Sequence, residues 1–154
     1  MKHLLFLFLT ISILFISCKK DKADPEPAPE KDRTELLTGS SWQIKHLNQA
    51  QSGQKFYYDR GGSNNTHDYA KDLLKFNTDG SGVYTSSTGV DYNFTWQFDN
   101  MEKTELSYTL AGYGSGTLIK LENILIDENN FRYSEMYMYD GFYSGGSIYR
   151  ISKP

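Results

Sequence analysis

Enzymes and metal sites reveal themselves through a few side-chain types at set spacings, and this chain of 154 residues offers few of them. Of three histidines, His3 lies in an N-terminal apolar run, which leaves His46 and His67. A metal site would have to join both to carboxylates such as Asp59 and Asp68, and no ligand spacing does so. His46 shares its phase with Trp42 and Ile44, the place of a core histidine. No serine sits in the glycine-flanked elbow of a hydrolase, no glycine-rich phosphate loop is present, and no pair of carboxylates is set out for glycoside hydrolysis. The sequence therefore predicts a protein that is not an enzyme, with no metal and no cofactor.

What the chain does offer is aromatic surface and one cysteine. All 12 tyrosines lie beyond residue 33. Val90, Tyr92, Phe94, Trp96 and Phe98 alternate with Asp91, Asn93, Thr95 and Gln97, a strong period-two pattern that places the aromatics on one face of a strand. Phe131, Tyr133, Tyr137 and Tyr139 repeat the pattern, with Glu135 in phase among them. These rows read either as the lining of a pocket or as the filling of a core. Tyrosine suits both, since its hydroxyl needs water or a partner when buried. Glu135 is expected at the surface, with Met136 and Met138 facing inward, because a buried carboxylate needs a partner.

Cys18 is the sole cysteine, so no disulfide forms within the chain. It follows Lys2 and an almost unbroken apolar run from Leu4 to Ser17, which is the length of a signal-peptide core and short of the roughly 20 residues that span a bilayer. A lone exposed thiol in an oxidising envelope would be reactive. Residues 19–33 carry Pro25, Pro27 and Pro29 among mixed charges and cannot bury enough surface to fold. At roughly 3 Å per residue in an extended form, this stretch is a tether of about 40 Å.

Residues 34–154 have the length of one domain. The chain's formal charge is −3, and no basic stripe or basic amphipathic helix is present, which argues against nucleic acid and anionic lipid as partners. Short strands follow one another: Trp42–Leu47; Asp72–Asn77 and Gly82–Ser87 about an Asp79-Gly80 hairpin turn; Val90–Phe98; Leu106–Leu110; Thr117–Leu121 and Asn123–Asp127, with Glu122 between; Phe131–Tyr139; and Ser147–Ser152. Asp140-Gly141 and Gly145-Gly146 bracket a predicted loop. Thr34–Leu37 fits one helical turn, and His67–Leu74 reads either as a short helix or as the approach to a strand. Asn48–Lys71 is the longest stretch without periodicity, and such a stretch is commonly functional or disordered; with Tyr57, Tyr58 and Gly61-Gly62 it is expected to act as a lid or partner-binding loop. The fold expected is all-β, an up-and-down antiparallel barrel of about eight strands, with a β-sandwich as the alternative.

Several short motifs carry family resemblances. Leu14-Phe15-Ile16-Ser17-Cys18 resembles the lipobox of bacterial lipoproteins. That implies cleavage after residue 17, acylation of Cys18, and a mature protein held to the membrane by its N-terminal lipid. Two or more acyl chains, at about 0.8 kcal/mol per buried CH₂, make such an anchor stable. Lys20-Asp21 resembles part of the charged signal that carries some Bacteroidetes lipoproteins to the cell surface, and the absence of Asp directly after the cysteine implies the outer membrane. Leu36-Leu37-Thr38-Gly39-Ser40-Ser41-Trp42, Phe76–Gly82, Tyr92–Phe98 and Ile148–Ile151 resemble the lipocalin-like domains of Bacteroidetes lipoproteins. By that resemblance Arg150 stacks over Trp42 as a structural pair, a contact worth about 0.5–2 kcal/mol.

A small barrel is either filled by side chains or holds one small ligand. The expected function is accordingly an envelope lipoprotein whose barrel binds a small hydrophobic or carbohydrate ligand through Trp42, Tyr57, Tyr58, Tyr92, Phe94, Trp96, Tyr133 and Tyr137. The alternative is a non-catalytic module with a filled core that contacts an envelope protein.

Overall fold

The computed structural model describes residues 30–112, 117–139 and 141–153. The expected signal peptide, Cys18 and the tether up to residue 29 lie outside the described residues. Lys31–Pro154 form one compact unit. Its described residues form one helix, α1 (Arg33–Thr38), and nine strands: β1 (Ser41–Gln51), β2 (Gln54–Asp59), β3 (Leu73–Phe76), β4 (Ser81–Thr85), β5 (Asp91–Phe98), β6 (Leu106–Leu110), β7 (Leu118–Ile126), β8 (Asn130–Tyr139) and β9 (Phe142–Lys153).

Every pairing is antiparallel. β1 and β3 to β9 form a closed ring of eight strands, because β1 pairs with β9 on one edge and with β3 on the other. This closure excludes the sandwich. β3 takes only Ser41–Gln43 of its edge of β1, and β2 takes His46–Gln51 of the same edge. The wall between β1 and β4 is thus split toward one end, and β2 with the chain that follows it fills the opening.

Period-two patterning produces most of these strands. On β5, Asp91, Asn93, Thr95 and Gln97 are exposed while Phe94 is buried and Tyr92, Trp96 and Phe98 are half-buried. Two β-bulges break the phase elsewhere. One lies on β1 between Ile44 and His46, so Trp42 and Ile44 face inward and then Leu47 and Gln49 do. An extra residue on one strand switches every following side chain to the other face. His46 is therefore not in the core: it packs on the outside, with its ring 5.3 Å from Tyr57. The carbonyl of Ile44 at this bulge accepts from Arg60 Nε at 2.7 Å, and that of Lys45 from the Arg60 amide. The second bulge, at Asn123 with φ of 56°, lies within β7. The two short strands expected on either side of Glu122 are one bent strand, in which Leu121 and Ile124 are both buried.

One end of the barrel is solid. Trp42, Phe76 and Phe131 pack there with ring centroids 5.5 and 6.1 Å apart, against Leu106, Leu121 and Ile124. α1 covers this end. Asp32 caps it by accepting from the Thr34 amide, Leu37 is buried, and Trp42 Nε1 donates to the Leu37 carbonyl at 2.8 Å. Arg33 donates to the Ile124 carbonyl, and Lys103 bridges Asp32 and Thr34. The end of the expected tether, Lys31 to Arg33, is thus docked on the barrel, with Lys31 2.7 Å from Glu128.

Two glycines show how closely the wall is packed. A Cβ at Gly82 would lie 2.1 Å from the Phe94 ring, and one at Gly146 2.3 Å from the Asn48 carbonyl oxygen. Gly145 and Gly146 therefore belong to β9 and do not bracket a loop; the turn is at Gly141, with φ of 77°. His67–Leu74 is not helical.

Candidate functional site

The other end of the barrel is open. A cavity of about 310 Å³ runs from it toward the middle of the barrel, at the lower end of the roughly 300–1,000 Å³ of small-molecule sites.

Its floor is a buried polar network. Arg150 on β9 lies 2.7 Å from Asp72, which precedes β3, and both side chains are almost wholly buried. Arg150 Nε donates to the Tyr133 hydroxyl at 2.8 Å and Nη1 to the Trp42 carbonyl at 2.9 Å. Tyr84 on β4 donates to the second Asp72 oxygen at 2.9 Å. The Arg150 and Asp72 charges offset each other, while Asp72 Oδ1 has the ion pair but no hydrogen bond of good geometry. Burial pushes the phenols of Tyr84, Tyr108 and Tyr133 above the usual tyrosine range and keeps them neutral.

Above the floor stands Glu135 on β8. The expected orientation of this strand is reversed: Phe131, Tyr133 and Glu135 are buried, and Met136 and Met138 are exposed. Phe131, Tyr133 and Tyr137 together have more apolar surface to bury than Met136 and Met138, whose side of the strand also carries Arg132 and Ser134, and one carboxylate goes inward with the aromatics. Glu135 Oε1 accepts from Gln49 Nε2 at 3.3 Å; Gln49 reaches that place only because the β1 bulge turns it inward. Burial pushes the Glu135 carboxyl up to about 7, with Asp72 adding to the rise and Arg150 and Gln49 opposing it.

The rim is aromatic and hydroxylic. Phe56, His67 and Tyr69 line one side, His67 lying edge-on to Phe56 at 5.4 Å. Ser86, Ser87 and Thr88, from the turn after β4, line the other. Tyr92 and Tyr137 complete the wall. The expected lid, Asn48–Lys71, resolves into the β1–β2 hairpin and an ordered rim segment. Thr66 exchanges hydrogen bonds with both backbone groups of Tyr57, and Asn65 Oδ1 accepts from the Asp59 amide, so side chains cover the outer edge of β2.

Of the eight aromatics expected at a ligand, two line this cavity, Tyr92 and Tyr137. Trp42, Phe94 and Tyr133 belong to the filled core. Tyr58 is buried edge-on to Tyr69, and Tyr57 is exposed on the outside. Trp96 is half-buried, and its Nε1 donates to the carbonyls of Asn77 and Ser81. Arg150 and Trp42 do pair, through the Trp42 carbonyl rather than the ring. Among the described residues no group of three or more His, Cys, Asp and Glu converges. Gln49, Asp72 and Tyr84 were not legible as interior groups. The one signal for Tyr84 is its phase with Gly82.

The site is therefore the open end of a closed eight-stranded antiparallel barrel with one supplementary strand, a class of fold built to hold one small molecule or none. No protein-family model, curated protein or solved structure matches the chain.

Proposed function

We propose that this chain is a lipid-anchored lipoprotein of the bacterial outer membrane, of the lipocalin-like type, whose barrel binds a small hydroxyl-rich, carbohydrate-like ligand in its open cavity. The observation that carries this reading is the contrast between the two ends of the barrel: one is filled to contact, and the other keeps about 310 Å³ open behind a rim of tyrosine and hydroxyl side chains. Tyrosine faces offer flat apolar area, while Gln49, Glu135, Ser86 and Thr88 offer directional hydrogen bonds. Such a wall suits a ring with hydroxyls better than an acyl chain, which would leave those groups unpaired.

Thermal unfolding with and without ligand tests the proposal. A mono- or oligosaccharide at one hundred times its Kd stabilises by about 2.7 kcal/mol, and Tyr92→Ala and Tyr137→Ala reduce that gain. Stabilisation by fatty acids alone would refute the carbohydrate reading.

A second reading, a module that docks on an envelope protein, is favoured by the outer face of β7 to β9. Met138 pairs with Tyr143, and Leu118 lies beside them; these side chains are 50%, 77% and 49% exposed. Retention of an envelope protein by the wild type and its loss on Met138→Asp would support this reading.

A further inference from the structure

We propose that the cavity selects ligands that carry a protonated amine, a hydroxylated amine such as an amino sugar, with Glu135 as the counter-ion. This rests on the reading of the cavity as a ligand site and names the ligand class. The argument is one of charge. One cationic and two acidic side chains are buried in the middle of the barrel, and two of the three neutralise each other: Arg150 and Asp72 are 2.7 Å apart. Glu135 is the third. It is 8% exposed, forms part of the cavity wall, and receives a neutral amide hydrogen bond from Gln49. No lysine, arginine or histidine nitrogen lies within 4 Å of its carboxylate among the described residues.

The groups that face Glu135 give no further positive charge. From β9 comes Arg150, already paired; from the start of β3, Asp72; from β4, β6 and β8, the neutral phenols of Tyr84, Tyr108 and Tyr133. At the rim stands His67. A buried carboxylate without a cation takes up a proton instead, which is why its carboxyl is pushed up to about 7. An ammonium group in the cavity provides the missing charge, and a carboxylate ligand meets repulsion. Phe56, Tyr69, Tyr92 and Tyr137 line the cavity, and aromatic rings suit a cation as well as a sugar ring. Because an ammonium ligand requires ionised Glu135, its binding releases a proton when it starts from the protonated form.

Calorimetric titration of the full-length protein in mild detergent with glucose, glucosamine and glucuronate tests this. The expected result is at least about tenfold tighter binding of glucosamine than of glucose at pH 8, a difference of one counter-ion contact. A carboxyl titrating near 7 is ionised about 30-fold less at pH 5.5 than at pH 8, while an amine titrating a little below 8 gains about threefold in its protonated form, so the glucosamine affinity falls by about tenfold. Glu135→Gln, of the same size, binds glucosamine no more tightly than it binds glucose and loses the pH dependence. Equal affinity for glucose and glucosamine, or tighter binding of glucuronate, overturns the inference and leaves the cavity as a sugar site. Binding of none of the three overturns both.

Discussion

Glu135 makes the stability of the empty protein depend on pH in a direction opposite to that of most carboxylates. Its carboxyl titrates at about 7 in the folded chain against 4.5 when unfolded. Below pH 4.5 both states hold the proton, and the full contribution to stability is present. Between 4.5 and 7 the unfolded chain has released its proton while the folded chain keeps it, so stability falls as pH rises. Above about 7 both are ionised and the slope vanishes. One pKa unit is worth 1.36 kcal/mol, so the whole loss is about 3 kcal/mol, a large part of the stability of a domain of this size. The exposed carboxylates with lowered pKa, Asp32, Asp79 and Asp127, act at the acid end of the range, where stability is lost as pH falls through their depressed values. They act below the window from pH 5 to 8 in which Glu135 acts. Urea unfolding at pH 5, 6, 7 and 8 measures the effect, and Glu135→Gln, a fixed mimic of the neutral acid, should be nearly flat across it. Wild-type stability that is constant or rises from pH 5 to 8, or an equal slope in the Gln variant, would refute the placement of Glu135 in the barrel.

Three further outcomes are expected, two from the contacts described and one from the proposed lipid anchor. Arg150→Met leaves Asp72 buried without its counter-charge and should cost about 3–5 kcal/mol in denaturant unfolding, whereas replacing both members with apolar residues should cost far less. Gly82→Ala drives a methyl group into the Phe94 ring and should cost about 1–3 kcal/mol by the same measurement, as overpacking does; an unchanged midpoint would mean that Phe94 does not lie over Gly82. Cys18→Ser should move the protein from the membrane pellet to the soluble fraction of a cell lysate and abolish incorporation of labelled fatty acid, with the unfolding midpoint unchanged.

Alternation made the strands legible, but it did not say which side of a strand is inside. β5 could be read correctly because its polar and aromatic faces are unambiguous. β8 could not, because Met136 and Met138 compete with Tyr133 and Glu135 for the interior, and a lone carboxylate weighs against the aromatic side. Only the ring closure decides, by giving the larger aromatic surface the interior. The bulge between Ile44 and His46 was equally hidden. A bulge is an excess of one residue over a partner strand, and the partner of β1 is β9, about a hundred residues away. β2 shows no clear alternation because one edge of it is held by Asn65 and Thr66 and only Tyr58 of its six side chains is buried. The glycines of β9 read as a turn because nothing in the sequence reveals that Asn48 and Gln49 pass too close for a Cβ.

The same hidden features account for the cavity. Without the β1 bulge, the phase set by Trp42 and Ile44 would continue through His46 and Asn48, and Gln49 would point outward, away from Glu135. Without the division of the β1 edge between β3 and β2, the wall would close along its whole length and the rim residues Phe56, His67 and Tyr69 would have no place at the mouth. Each departure from regular pairing has its own compensation. Arg60 satisfies the Ile44 carbonyl at the bulge, and Asn65 and Thr66 cover the edge of β2. Among the described residues, none forms an ion pair with Glu135. Regular pairing would have given a tighter and drier interior at lower electrostatic cost. An interior that retains an uncompensated carboxylate beside open space is better matched to an occupant with positive charge than to the folded chain alone.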